Sequence, residues 1–213
     1  MDFDFSPAFP AESPNRIYGM VIGIVTNNKD PDGKGRVKLR FPWLADNVES
    51  NWARIASPMA GKERGFYFLP EVDDEVLVAF EHGQMEFPYV LGVLWNGKDA
   101  PPEKNDDGKN NRRVIKSRSG HIIRLDDKDG EEKIEILDKS GKNSVVIDTK
   151  AKTITISAEA DIVLKSADGK LVLQAAKGVE VKSDADIKVE AGGKLDLKAS
   201  GDANVKGATV NLN

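Results

Sequence analysis

The sequence predicts an all-β protein that contains two different kinds of β structure. Residues 16–97 hold short apolar or alternating runs separated by turn signals, without the 3.6-residue apolar period of an amphipathic helix. Residues 154–213 repeat an apolar-x-apolar pattern about every eight residues. A helix repeats every 3.6 residues and a strand every two, so this longer period indicates a ladder of short strands.

The first region is predicted to form a small closed barrel or a sandwich. Val37, Leu39 and Phe41 alternate with charged residues, the pattern of a half-buried strand, which Pro42 ends. Glycines 19, 23, 65 and 92 lie in or beside the predicted strands, where glycine often marks a bulge or a barrel corner. The predicted strands are residues 17–25, 37–41, 52–56, 66–69, 75–80 and 89–95.

A polar linker and a second set of strands follow. Residues 98–113 are rich in Pro, Asn and Asp, and aromatic residues are absent from residue 114 onward. Residues 114–153 are predicted to form a β neck, with turns at DDKDGEE, DKSGKN and DTKAK. Its predicted strands are residues 114–115, 121–125, 133–137 and 144–147, and residues 153–156 lead into the repeat.

The repeat consists of seven consecutive blocks, which we call octads, starting at residues 154, 162, 171, 179, 187, 195 and 203. The first and third positions are apolar, and the fifth is always Ala, Ser or Gly. Lys170 is one inserted residue. The residues predicted to form the interior of the repeat are Ile154, Ile156, Ile162, Leu164, Leu171, Leu173, Val179, Val181, Ile187, Val189, Leu195, Leu197, Val205, Val210 and Leu212.

An octad is too short to enclose a core within one chain. Each block supplies one strand and about two apolar side chains, whereas a single-chain solenoid needs roughly eighteen residues to close three faces. The simplest closed arrangement is an intertwined trimeric β-helix, or β-prism, in which each of three chains contributes one face. A single-chain solenoid with two blocks per coil and a disordered polar tail are the alternatives.

Three stretches, taken in order, resemble one known family. The sequences IYGMVIGIVTNNKDPDGKGRVKLRFPWL, NWARIASPMAGKERGFYFLPEVDDEVLVAFEHG and PYVLGVLWNG are similar to the OB-fold domain of phage baseplate assembly protein V and of VgrG spikes. IKSRSGHIIRLDDKDGEEKIEILDKSG resembles the neck of those proteins, and the octads resemble their triple-stranded β-helix. The resemblance implies an OB-fold barrel followed by a homotrimeric spike of a contractile injection machine.

The departures from that family define the expected partners. About fifteen residues precede the OB fold, so we expect the hub to be a separate protein. The short linker leaves no room for the muramidase that some phage spikes insert there. The iron-binding histidines of some spike tips have no counterpart here, so no metal or cofactor is expected. A separate PAAR-type tip protein is expected to contact Val210, Asn211, Leu212 and Asn213.

No enzymatic motif is found in the sequence, and we expect a non-enzymatic protein. His82 lies in a predicted hairpin tip and His121 at a predicted strand start, where a lone histidine is usually structural. The carboxylate pairs Asp73–Asp74 and Asp126–Asp127 fall in turn clusters. There is no G-x-S-x-G, no P-loop and no cysteine.

Nucleic-acid binding is not expected either. The net charge is −4, and Lys and Arg are not expected to cluster beside Trp43, Trp52, Tyr67 and Trp95. An OB-fold ligand-binding protein is a weaker alternative. The N-terminal stretch MDFDFSPAFP carries Phe3, Phe5 and Phe9, which form either a disordered tail or a peptide that docks on the hub or a neighbouring barrel.

We therefore expect five regions and a mechanical function. The regions are an extension at 1–15, an OB-fold domain at 16–97, a linker at 98–113, a β neck at 114–153 and the octad β-helix at 154–213. The trimer joins the hub to the tip cap of a phage tail, tailocin or toxin-delivery particle and pierces the target envelope. No Sec-type signal is visible, so synthesis in the cytoplasm, assembly into the baseplate and delivery on contraction are expected. A secreted trimeric β-solenoid adhesin or stalk is the alternative.

Overall fold

The computed structural model describes residues 16–44 and 48–211. The chain divides into two units, Met1–Glu159 and Ala160–Asn213. All twelve strands of the described residues belong to the first unit, which also contains a single 3₁₀ turn at Glu81–Gly83. The predicted all-β class is therefore confirmed. Among the residues described, no helix has the length and hydrophobicity needed to cross a bilayer.

The first sheet curls on itself to enclose the core of the N-terminal part. Its five strands have the order β2-β1-β6-β7-β3, antiparallel except for the parallel pair β3–β7. Its edges meet at Val37 and Ala53, which exchange backbone hydrogen bonds of 3.0 and 2.7 Å. These strands are β1 (Val21–Asn27), β2 (Lys38–Arg40), β3 (Arg54–Ile55), β6 (Glu75–Phe80) and β7 (Pro88–Val93), with a separate hairpin of β4 (Ala60–Gly61) and β5 (Arg64–Gly65).

Alternation along the strands places the core inside this curled sheet. In β6, Val76, Val78 and Phe80 are buried while the residues between them face outward. Gly23 lies against the core, because an added Cβ would come within 3.1 Å of the Val78 side chain. The buried core residues are Val25, Val37, Leu39, Phe41, Ala53, Val76, Val78, Phe80 and Val90.

Two local expectations for this sheet have opposite outcomes. The expected bulge at Gly92 is confirmed, since Val78 pairs with Val90 and Leu77 with Gly92, which leaves Leu91 without a partner. The expected strand at residues 66–69 is wrong. The chain pairs β4 with β5 just before it, and Phe66, Tyr67 and Phe68 are exposed side chains outside any strand.

The second sheet is an antiparallel meander in which every strand pairs with its sequence neighbours. It contains β8 (Arg112–Lys116), β9 (Ile122–Asp126), β10 (Lys133–Leu137), β11 (Ser144–Asp148) and β12 (Thr153–Ser157). The spatial order β12-β11-β10-β9-β8 follows the chain. We call it the neck sheet, because it forms from the residues predicted as the neck together with the first octad strand.

The described residues of the second unit form no regular secondary structure. Residues 160–211 contain no strand, and all of them are exposed. The trimeric β-helix remains a prediction.

A carboxylate clamp shapes the loop between β1 and β2. Asp30 is 3% exposed and accepts hydrogen bonds from the Arg36 guanidinium at 2.7 and 2.9 Å. The backbone N–H groups of Asp32 and Lys34 also donate to Asp30, each at 3.0 Å. The Arg36 hydrogen bond holds the pKa of Asp30 far below its usual range, so the clamp stabilises the fold with Asp30 ionised.

We expect the Asp30→Asn substitution to lower the melting temperature at pH 7. The folded-state pKa is depressed, so this stabilisation is present above the ordinary aspartate pKa of about 3.9 and is lost as the pH falls below it. The difference from the parent should therefore shrink between pH 5 and pH 2, measured by thermal denaturation followed by circular dichroism. Asp32→Asn is the control, because its more exposed side chain should give a smaller loss. Equal melting temperatures for parent and Asp30→Asn at pH 7 would contradict the clamp.

Candidate assembly surface

One face of the neck sheet is apolar because its strands alternate apolar with polar residues in a matched register. Side chains of directly paired residues lie on the same face of a sheet. The pairing aligns two apolar rows across the strands. The first row is Ile115, Ile123, Ile136, Val145 and Ile156, and the second is Leu125, Ile134, Ile147 and Ile154; together they form the apolar face.

The apolar face is open to solvent in the single chain. Ile136, at the centre of the first row, is 51% exposed, and Ile154 in the last strand is 70% exposed. Soluble monomers rarely expose a continuous apolar patch of this kind, and such patches mark interaction sites. The sequence therefore builds a sheet whose five strands pair in one register but whose apolar face lacks a partner in the single chain.

The opposite face carries ion pairs between neighbouring strands, and we call it the charged face. The Arg124 guanidinium donates to Glu135 at 3.0 Å. Between the next two strands, β10 and β11, Lys133 pairs with Asp148 at 3.2 Å. Opposite charges on paired residues stabilise the strand register, and each exposed pair contributes little more than about 1 kcal/mol.

The linker covers part of the charged face. Glu103 lies outside any strand and accepts hydrogen bonds from Arg112 and Arg124, each at 3.0 Å. Burial raises the pKa of Glu103, but the two guanidinium groups lower it by more, so the net shift is downward. The charged face therefore has a partner within the chain.

The structure brings some predicted interior residues together and leaves others apart. Ile154 and Ile156 lie on the apolar face next to Ile147 and Val145. The remaining described interior residues, from Ile162 to Val210, lie in the second unit, where each is exposed. Phe3, Phe5, Phe9, Leu212 and Asn213 lie outside the described residues.

The sequence reasoning missed the neck part of this surface. The neck residues of the apolar face are Ile115, Ile123, Leu125, Ile134, Ile136, Val145 and Ile147. The signal was present as alternation in strands such as KIEIL, but alternation alone does not place residues of different strands side by side. The register and the lack of a covering element reveal the surface.

The two histidines have the locations expected from the sequence. His82 lies in the turn between β6 and β7, with φ of 49°, and the backbone N–H of His121 donates to Ser117 Oγ at 3.0 Å just before β9. The backbone N–H of Glu71 donates to the carboxylate of Asp74 in a turn, as expected.

Within residues 16–44 and 48–211, no group of three or more His, Cys, Asp or Glu side chains has the arrangement of a metal site.

The expectation that basic residues do not gather near the aromatic side chains is wrong for Trp52. The Arg36 guanidinium and the Lys38 ammonium both lie 5.8 Å from the centre of its ring. Sequence separation concealed this contact, which the bridge between Val37 and Ala53 creates. Both cations are also paired with carboxylates, Arg36 with Asp30 and Lys38 with Glu49.

Comparison with known families defines the class of the first sheet. Residues 21–95 match the type VI secretion system/phage-baseplate injector OB domain. This range contains β1 to β7 and thus the whole curled sheet with its buried core. The curled sheet is therefore similar to an injector OB domain.

Comparison with curated proteins finds similarity to VgrG proteins over a larger share of the chain than the OB domain. It is 34% identical over 140 residues to type VI secretion system spike protein VgrG5 of Pseudomonas aeruginosa, covering 59% of this chain and 18% of the relative. VgrG4b of the same organism is 31% identical over 140 residues, covering 59% and 17%. The actin cross-linking toxin VgrG1 of Vibrio cholerae is 33% identical over 75 residues, covering 33% and 7%. The chain thus spans less than one fifth of the length of these relatives.

Proposed function

We propose that this chain is the non-enzymatic, homotrimeric central spike of a contractile injection machine, and that it pierces the envelope of a target cell. The observation that carries the proposal is the exposed apolar face of the neck sheet, which leads directly into the octads. The similarity to proteins named as type VI secretion system spikes supports the same class of role.

Three copies are the arrangement that satisfies both parts of the chain. The neck sheet provides one flat apolar face, and each octad provides one short strand with two apolar side chains. Three chains would supply three such faces, which can surround one interior along the length of the neck and the octads. The neck and the octads would then form one continuous prism. Two copies would cover the neck face but would leave the octads without a third side.

The outer surface of this prism would be the charged face. Glu135, Arg124 and the linker residue Glu103 would then remain at the solvent side, where the single chain already holds them in ion pairs. The interior would hold the two apolar rows. Because the backbone bonds and the apolar contacts of three chains would have to break together, the prism would resist the load that sheath contraction applies.

The ends of the prism would meet different partners. We propose that a separate hub protein binds at the OB end, with Phe3, Phe5 and Phe9 as candidate contacts. At the other end, a PAAR-type tip protein would bind the unpaired strand edges near Val210 and Asn211. Contact with the target envelope would be transient. Neither a cofactor nor a nucleic acid has a role in this mechanism.

The proposed location follows from this role. The chain would be made in the cytoplasm, assembled into a baseplate and delivered into the target cell on contraction. The toxin activity in the name of the Vibrio cholerae relative belongs to a protein of which the aligned part is 7%. That aligned part does not carry the activity over to this chain.

The mass of the full-length protein in solution tests the proposal. We expect mass photometry or sedimentation equilibrium to give three times 23.2 kDa at nanomolar to micromolar concentrations. Electron microscopy of the same sample should show a narrow rod attached to a wider base. A stable species of 23.2 kDa, or a dimer, would refute the homotrimeric spike.

A further inference from the structure

A cavity lies between the residues that follow β7, the linker and the charged face of the neck sheet. Its volume is about 860 Å³, within the range of roughly 300–1,000 Å³ that small-molecule sites occupy. Three of its lining residues, Arg112, Val114 and Asp126, belong to β8 and β9, where their register places them on the charged face. In the proposed trimer this face is the outer one, so the cavity would stay open to solvent.

The indole ring of Trp95 lines this cavity and is 69% exposed. The backbone is fixed on both sides of the residue. Before it, Leu94 N–H donates to Glu75 O at 2.8 Å. After it, the Asn96 side-chain oxygen accepts a hydrogen bond from Asp99 N–H at 2.7 Å. An exposed aromatic ring on a fixed backbone loses little freedom when a ligand stacks on it.

The linker loop at residues 105–111 forms another wall and is folded by its own hydrogen bonds. Asn110 N–H donates to Asn105 Oδ1 at 2.7 Å, and Asn110 has a φ of 51°. The hydrogen bonds that Asn110 and Asn111 form within the described chain use their backbone groups. Their side-chain amides and the carboxylate of Asp106 line the cavity and are free to bind a ligand.

The charges around the cavity nearly cancel. Three cationic side chains and four carboxylates line it, and 3 − 4 leaves a net charge of −1. Two of the carboxylates, Glu103 and Asp126, are held by Arg112 at 3.0 and 3.1 Å. A nucleic acid or an anionic lipid would need a cationic surface, which this is not. The balance favours a neutral ligand that is rich in hydrogen-bonding groups.

A saccharide with N-acetyl groups has the chemistry that this cavity accepts. The C–H face of a sugar ring is apolar and stacks on an indole, while its hydroxyl groups bond amides and carboxylates. An acetamido group adds a methyl group, for which Pro101 and Pro102 supply apolar surface in the same cavity as Trp95. Its N–H needs an acceptor and its C=O a donor, which Asp106 and Asn111 carry.

We propose that Trp95 and the linker form a binding site for saccharides that carry N-acetyl groups. The site is contained in one chain, so binding does not depend on assembly. Only the source of the ligand, the surface of the cell that the spike meets, rests on the proposed function.

Isothermal titration calorimetry of the full-length protein with tetra-N-acetylchitotetraose tests the site. We expect saturable binding, and cellotetraose, which has the same linkage without acetamido groups, should bind about tenfold more weakly or worse. Trp95→Ala removes the stacking surface and should weaken binding about tenfold or more, whereas Trp95→Phe keeps an aromatic ring and should lose less. Asn111→Ala should also weaken binding, because it removes an amide donor.

Trp43→Ala is the matched control, because Trp43 is also exposed, at 47%, but does not line the cavity. It should bind the probe as the parent does. The inference is overturned by a parent without saturable binding, by equal binding of both tetrasaccharides, or by a Trp95→Ala variant that binds like the parent. A Trp95→Ala variant of lower native mass than the parent would show that the ring lies between copies, and would overturn it too. The native mass of the parent decides the proposed function separately, since binding by a monomer would refute only the spike.

Discussion

The Ile136→Glu variant is expected to be a monomer under conditions where the parent is a trimer. Ile136 lies at the centre of the apolar face, with its neighbours Ile123 and Val145 in the same row. A trimer would bury three carboxylates facing one another in an apolar interior. Each unpaired buried charge costs several kcal/mol, and three like charges would meet in one layer of the interior.

The change should leave the neck sheet of the single chain intact. The Ile136 side chain is 51% exposed there, and the backbone pairing of β10 does not depend on it. Mass photometry at equal concentrations gives the distribution of species, and circular dichroism checks that β structure is retained. Lys139→Glu is the matched control, because this residue is exposed and lies outside the apolar face. A trimeric Ile136→Glu variant would show that the apolar face does not lie in the interface.

Proline at position 154 should disorder the octads while the neck sheet remains folded. The hydrogen bonds from Asp138 N–H to Asn143 O and from Thr149 N–H to Glu132 O fix the alternation of bonded pairs across the sheet, which directs the Ile154 N–H away from β11. Proline is tolerated in an edge strand when its missing N–H faces outward. In the proposed trimer, in which an octad strand of another copy pairs with this edge, the substitution would remove one interchain hydrogen bond per copy, about 1 kcal/mol each, and its ring would block close approach of that strand. Limited proteolysis should therefore cleave residues 160–211 at least tenfold faster than in the parent.

Two further variants separate the backbone effect from other consequences. Ile154→Ala removes the apolar side chain but keeps the N–H, so octad cleavage should rise less than with proline. Lys116→Pro places the same residue at the outward edge of β8, where no octad is expected to pair. If Ile154→Pro and Ile154→Ala are cleaved equally, pairing at the β12 edge does not order the octads.

Local patterns were sufficient to predict most of the strands. The predictions for β6 and β10 agree with the structure at both ends, because EVLVAF and KIEIL are bounded by clear turn residues. The run FYFL has high β propensity but forms no strand, because β4 and β5 pair with each other before it. Propensity indicates what a segment can form, whereas an available partner edge decides whether it does.

The contacts between distant residues could not be predicted in the same way. The parallel pairing of β3 with β7 and the position of two cations over Trp52 depend on how the curled sheet closes. The apolar face is an intermediate case. Its residues were visible as alternation, but its nature as one continuous surface follows only from the shared register of five strands.

The double membership of β12 has an evolutionary consequence. Because this strand completes the meander and also begins the repeat, blocks can be gained or lost beyond it without disturbing the folded base. Duplication of 24 nucleotides in the gene would add one octad to each chain. In the proposed trimer this would lengthen the prism by one layer of about 4.8 Å. In the proposed spike, the length of the prism would therefore change in uniform steps of one octad, while the strands that precede the octads stay the same.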